Sequence, residues 1–273
     1  MAKARSRLST LLAFLRRDLR IAASYRLAWG LNLAEIVLTV AAFFFLGRLV
    51  GERPSPILAP YPDYFSFVLV GIAVFNYFFI SLNLFAQSLR ESQLNGTLEA
   101  LLVTPTSAAG LCVYSYLAIL LAQLPRWAAY FLVAVLAFHF SLARADWSAA
   151  VILVVLGMGT FLGLGLVSAS FILAFKRGDP LTWVLATLAW LVSGTLFPVE
   201  VLPPWLRFVS QLFPITPLLS GLRKALLVGA GVGEIQVEAL TLAGFALVLL
   251  GGGYGLFRWA VRRARREGSL GHA

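Results

Sequence analysis

WSAAVILVVLGMGTFLGLGLVSASFILAF, residues 147–175, runs for 29 positions without a charged side chain. At about 1.5 Å per residue, a helix of this length outreaches the ~30 Å hydrocarbon core of a bilayer. Comparable apolar runs recur on both sides of it. Only helices and closed barrels satisfy their backbones in lipid, and these runs lack the polar–apolar alternation of barrel strands. The expected fold class is all-α integral membrane. Composition agrees: of 273 residues 60% are hydrophobic and 12% charged, with mean hydropathy +0.87. A soluble domain of that size would need more charge at its surface.

Working outward, six transmembrane helices are read, at about 28–50, 64–87, 111–140, 147–175, 181–197 and 237–259. The third is interrupted by Pro125-Arg126 and is longer than a bilayer needs. It reads as one tilted, proline-kinked helix, because the break is too short to cross back. Loops are short, apart from the segment between the fifth and sixth spans. The chain reads as a single membrane domain, 1–273, with 1–27 a cytoplasmic interfacial helix, 28–259 the spans and 260–273 a basic tail.

The net charge of +10 is a topology signal rather than a nucleic-acid surface. With both termini cytoplasmic, the inner segments hold Lys3, Arg5, Arg7, Arg16, Arg17, Arg20 and Arg26, then Arg90, Lys176 and Arg177, then Arg258, Arg262, Arg263, Arg265 and Arg266. The outer segments hold only Arg48, Arg53, Arg144, Arg207, Arg223 and Lys224, and are rich in Asp and Glu. That asymmetry fits the positive-inside rule, with contact to anionic lipid as a second role. Before the first span, Leu8, Leu11, Leu12, Leu15, Leu19 and Ala22 recur near helical spacing, opposite Arg16, Arg17, Asp18 and Arg20. This reads as a helix lying in the interface.

Between the second and third spans stands RESQLNGTLEALLVTP, residues 90–105. Leu94, Leu98, Leu101 and Leu102 make one apolar face, Thr97 suits a cap, Glu99 suits the first turn, and Pro105 disfavours helix at Thr104. The plainer reading is an interfacial connector. The sharper one is a coupling helix, gripped by a separate motor protein. Between the fifth and sixth spans, Pro198, Pro203, Pro204, Pro214 and Pro217 cut the chain into pieces too short to span. Trp205, Phe208 and Phe213 are residue types of the membrane interface. We read a re-entrant helical hairpin on the outer side, either a structural lid or part of a gate; such irregular backbone must be buried in protein or face water.

Glu35 and Arg126 are ionisable residues inside spans, where charge is costly. Each is expected either to snorkel or to pair, with the other or with neighbours such as Asn32, Asn76, Asn83 and Gln123. One reading is a buried polar cluster that fixes packing; the other places Arg126 on a substrate path for anionic or amphipathic cargo. Gly159 and Gly163 in the fourth span, and Gly251 and Gly255 in the sixth, have the spacing of close helix packing. That spacing does not choose between contacts within one chain and a dimer seam. His139, near the outer end of its span, reads as an interface residue.

Absences narrow the function. The sequence has no G-x-x-x-x-G-K-[ST] phosphate loop and no H-E-x-x-H pair, and Cys112 is its single cysteine. With only His139 and His272, histidine catalysis has little to work with. No catalytic or metal-ligating set is expected.

The stretch Gly96-Thr97-Leu98-Glu99, followed by Leu101-Leu102-Val103-Thr104-Pro105, resembles the membrane subunits of type-2 ABC transporters, the bacterial ABC exporter permeases. LFPVEVLPPWLRFVSQLFPITPLLSGLRKALLVG, residues 196–229, is similar to the family's run before the last span, and FLRRDLRIAASYR to its interface helix. The chain departs from the pattern at Ser92-Gln93-Leu94-Asn95, where many members are more charged. The resemblance implies a permease with no cofactor of its own. A separate ABC ATPase subunit, in two copies, would bind ATP and Mg. A second copy of the chain would complete the pathway between the two first and fifth spans. It assigns ATPase docking to Asn95, Gly96, Thr97, Leu98, Glu99 and Leu102, and an outer gate to Phe197, Pro198, Pro204, Trp205, Pro214 and Arg223. The location implied is the bacterial cytoplasmic membrane. The cargo expected is a lipophilic, drug-like molecule or lipid. The alternatives are a polysaccharide or lipid-linked glycan, or an ion-coupled secondary transporter using Glu35 and Arg126.

Overall fold

The structure, a computed structural model, describes residues 26–50, 58–94, 108–175 and 180–266. The expected interfacial helix and the proposed coupling helix lie outside them. The described residues form helices and no strand: α1 (Arg26–Val50), α2 (Tyr64–Leu94), α3 (Ala108–Phe138), α4 (Trp147–Phe175), α5 (Pro180–Val192), α6 (Pro204–Gln211), α7 (Ile215–Arg223) and α8 (Gln236–Arg266). A 3₁₀ turn (Val199–Val201) precedes α6, and a π turn (Lys224–Val228) follows α7.

Local chemistry explains the boundaries. Asp63 caps α2, its Oδ1 accepting the Ser66 N–H at 2.5 Å. Asp146 caps α4, accepting the Ala149 N–H at 2.9 Å and the Ser148 hydroxyl at 2.6 Å. Pro180 and Pro204 occupy first-turn positions, where a missing N–H is harmless. Gly194 and Gly229 take φ values of 84° and 82°, the left-handed conformation that closes α5 and the π turn. His139 (φ 57°) turns the chain after α3, and the Phe140 N–H returns to the Ala134 carbonyl at 3.1 Å.

Among the described residues, four stretches are long and apolar enough to cross a membrane: Gly30–Val50, Tyr64–Asn83, Trp147–Phe171 and Gln236–Arg263. Shorter apolar stretches lie in α3 (Gln123–Phe138) and α5 (Trp183–Val192). α3 is continuous through Pro125 over 31 residues, in line with a single helix there. Two boundaries differ from expectation. The fifth run stops as helix at Val192 rather than 197, because Gly194 turns left-handed. α8 continues through the stretch read as a basic tail, to Arg266, and buries Ala260.

α2 is the central helix: 78% of its apolar window is buried, against 11% for α1. Contacts between helix ends fix their alternation. Phe44, near the end of α1, meets Phe65 at the start of α2 and Phe138 at the end of α3. Asp146, before α4, donates its N–H to the Ala225 carbonyl after α7 at 2.9 Å. α4 and α8 pack along a shared seam, where the Thr160 hydroxyl, bonded to Leu156 O of its own helix at 2.8 Å, also lies 3.3 Å from Leu242 O.

Candidate functional site

The α6–α7 segment is a pair of short helices with opposite surroundings. α6 sits at the edge, exposing Trp205, Phe208 and Leu212 on one face. Arg207 folds back to donate to Glu200 O at 2.6 Å. α7 is inserted among α2, α4 and α8, burying Ile215, Leu218, Leu219 and Leu222. Gly157 of α4 makes room: a Cβ there would lie 2.8 Å from Leu218 Cδ2. Of the expected gate residues, Pro204 and Trp205 are exposed, Phe197 is half-buried, and Pro198, Pro214 and Arg223 are buried. Phe213, read as an interface residue, is buried in the core. α7 faces other helices, whereas α6 turns Trp205 and Phe208 outward.

Arg223 ends α7 at 4% exposure. Its Nε donates to Phe67 O at 3.0 Å, Nη1 to Gly194 O at 2.8 Å and Nη2 to Thr195 O at 3.0 Å. The guanidinium carbon also lies 3.4 Å from the Phe67 ring centroid. No carboxylate among the described residues makes a salt bridge with it. Its neighbour Lys224 turns the other way, to Glu238 Oε1 at 2.6 Å, and Ser220 donates to the same oxygen at 3.2 Å. Glu238 Oε2 is buried with no hydrogen-bond partner among the described residues.

The in-span charges form the second group. Arg126 Nη2 lies 2.5 Å from Glu35 Oε2, and Nη1 donates to Asn32 Oδ1 at 3.3 Å, so α3 and α1 are joined through these side chains. Gln123, Asn76 and Asn83 take no part in these bonds. The side chains are 27% and 48% exposed on the single chain.

The α6–α7 pair and the Glu35–Arg126 pair lie on separate elements, and the structure does not merge them into one site. The docking residues Asn95, Gly96, Thr97, Leu98, Glu99 and Leu102 lie outside the described residues. Sequence reasoning missed Gly71, Tyr64, Gly194 and Glu238. Gly194 carried the one available signal, a glycine four residues before Pro198 in an otherwise apolar run. No group of three or more metal-ligating side chains occurs among the described residues.

Alternating apolar helices with a short helix wedged between them define a polytopic helical membrane protein. Its family is also clear: the sequence model described as ABC-2 type transporter matches residues 11–227, and the chain belongs to that family. It is therefore a membrane permease component of an ABC transporter, a partner of an ABC ATPase subunit rather than the ATPase itself. No characterised protein matches the chain in a direct sequence search.

Proposed function

We propose that the chain is the permease subunit of an ATP-driven exporter in the bacterial cytoplasmic membrane, with six spans and both termini cytoplasmic. Two copies line the pathway between their first and fifth spans, and two copies of a separate ATPase bind ATP and Mg at the cytoplasmic face. Closure of the ATPases pushes the segment at 95–103, with Glu99 at the grip. The α6–α7 hairpin is the outer gate. The observation that carries this reading is the family match, which runs unbroken through both the docking stretch and the hairpin.

The cargo is a lipophilic small molecule or lipid. α1 and α5 support this, since each carries exposed large apolar side chains, among them Leu38, Phe45, Trp183 and Leu191. Among these the Glu35–Arg126 pair supplies one polar foothold, suited to the head group of an amphipath.

The test is ATPase activity of the reconstituted complex, comparing wild type with Glu99→Arg. The reading expects wild type to assemble and hydrolyse ATP, and the variant to lose assembly or transport-coupled hydrolysis. If the chain binds no ATPase and transports under an ion gradient that Glu35→Gln abolishes, it is an ion-coupled carrier and the exporter reading fails.

A further inference from the structure

α5 ends at Val192; the Ser193 N–H still reaches Ala189 O at 3.0 Å, but the carbonyls that follow need hydrogen-bond partners from elsewhere. Apolar surroundings make an unsatisfied carbonyl there unfavourable. The Gly194, Thr195 and Leu196 carbonyls each find a partner on another helix. Arg223 of α7 takes the Gly194 and Thr195 carbonyls and, with its third donor, the Phe67 carbonyl of α2. Tyr64 of α2 donates its hydroxyl to Leu196 O at 3.1 Å. Gly71 of α2 is cut away to admit the assembly: a Cβ there would overlap Thr195 O and lie 2.7 Å from Arg223 Nη2. One planar fork thus ties α7, α2 and the broken end of α5, a geometry that an ammonium group cannot reproduce.

We propose that Arg223 is the positioning residue of the outer gate, latching the broken end of α5 onto α2 so that α5 and the α6–α7 hairpin move as one body. The gate function rests on the exporter reading above; the latch itself does not.

The experiment uses the full chain with its ATPase in lipid vesicles, in a Cys112→Ser background carrying a Phe197→Cys reporter. The readout is the rate at which a membrane-impermeant maleimide alkylates the reporter thiol. Arg223→Lys keeps the charge and loses the fork, whereas Gly71→Ala keeps the arginine and displaces Thr195. Each is expected to raise that rate about tenfold or more, the order of one charge-assisted hydrogen bond. Tyr64→Phe gives a smaller rise. A control reporter, Gly233→Cys, in an open stretch before α8, keeps its rate, which a general loosening of the fold would not allow.

Unchanged alkylation of the Phe197→Cys reporter in folded Arg223→Lys and Gly71→Ala overturns the latch. Should Arg223→Lys fail to fold, Gly71→Ala and Tyr64→Phe decide the matter by the same criterion. The gate reading is scored separately, on the reporter chain with no latch variant. If its alkylation rate is the same with the ATPase empty and trapped with ATP, the hairpin is not a nucleotide-driven gate, whatever the latch variants show.

Discussion

Replacing Gly163 with alanine puts a methyl group where α8 already stands. A Cβ at that position would lie 2.5 Å from the Leu249 carbonyl carbon and 2.6 Å from the Leu250 nitrogen. Ordinary carbon contacts are roughly 3.5–4.0 Å, so the two helices must part by about 1 Å. Over-packing of this kind typically costs ~1–3 kcal/mol. Gly253 faces the same seam, 2.6 Å from Gly163 O by the same construction, and Gly253→Ala should behave alike. Gly159, one turn from Gly163, meets only Ala246 Cβ at 3.8 Å and Leu250 Cδ1 at 4.0 Å, and Gly251 meets nothing within 4 Å. Alanine at those two positions is expected to be neutral, or to stabilise by up to ~1 kcal/mol through helix propensity. The assay is unfolding of the purified chain in mixed micelles titrated with SDS, followed by tryptophan fluorescence. The reasoning fails if Gly163→Ala is as stable as wild type. It fails equally if Gly251→Ala is the most damaged of the series, since the tight seam would then lie on the other side of α8.

The same assay tests two further points. Glu35→Ala strands Arg126 within the span and should destabilise by ~1 kcal/mol or more, with the Glu35→Ala/Arg126→Ala double variant recovering at least part of it; a coupling energy of zero in the cycle would sink the pairing. At Asp146, the Ser148 hydroxyl, and then the Ala149 N–H, hold the carboxyl below the usual carboxylate range. A depressed folded-state value means its stabilisation is present above the unfolded value and is lost as pH falls through the folded one. The stability gap between wild type and Asp146→Ala should therefore narrow below about pH 4. A gap unchanged across that range would show that the cap is not acting through the charged carboxylate.

Much of the architecture was legible because membrane insertion depends on one-dimensional hydrophobicity. The run at 147–175 is helix α4 from end to end, and the other apolar runs begin within a few residues of their helices. The break of the 198–217 stretch into short helices was readable too, since clustered prolines disfavour one continuous span. Legibility was poorer where one residue's meaning depends on its neighbours. Gly194 sits in an apolar run much as Gly157 and Gly163 do, yet it terminates α5 while they pack mid-helix. Arg223 and Lys224 are adjacent cations in sequence, but one is buried on backbone carbonyls and the other pairs with Glu238.

Alone, the amino-acid order determined the class: a helical membrane chain, its apolar runs and the resemblance to the family that matches it. Each of these follows from the free energy of moving a segment from water to lipid, or from residues adjacent along the chain. Only the tertiary structure decided which glycines touch, which charges pair, and that Arg223 closes the broken end of α5. Those outcomes depend on close approach between segments up to 156 positions apart, as Arg223 is from Phe67. Such distances are set by packing, not by spacing along the chain.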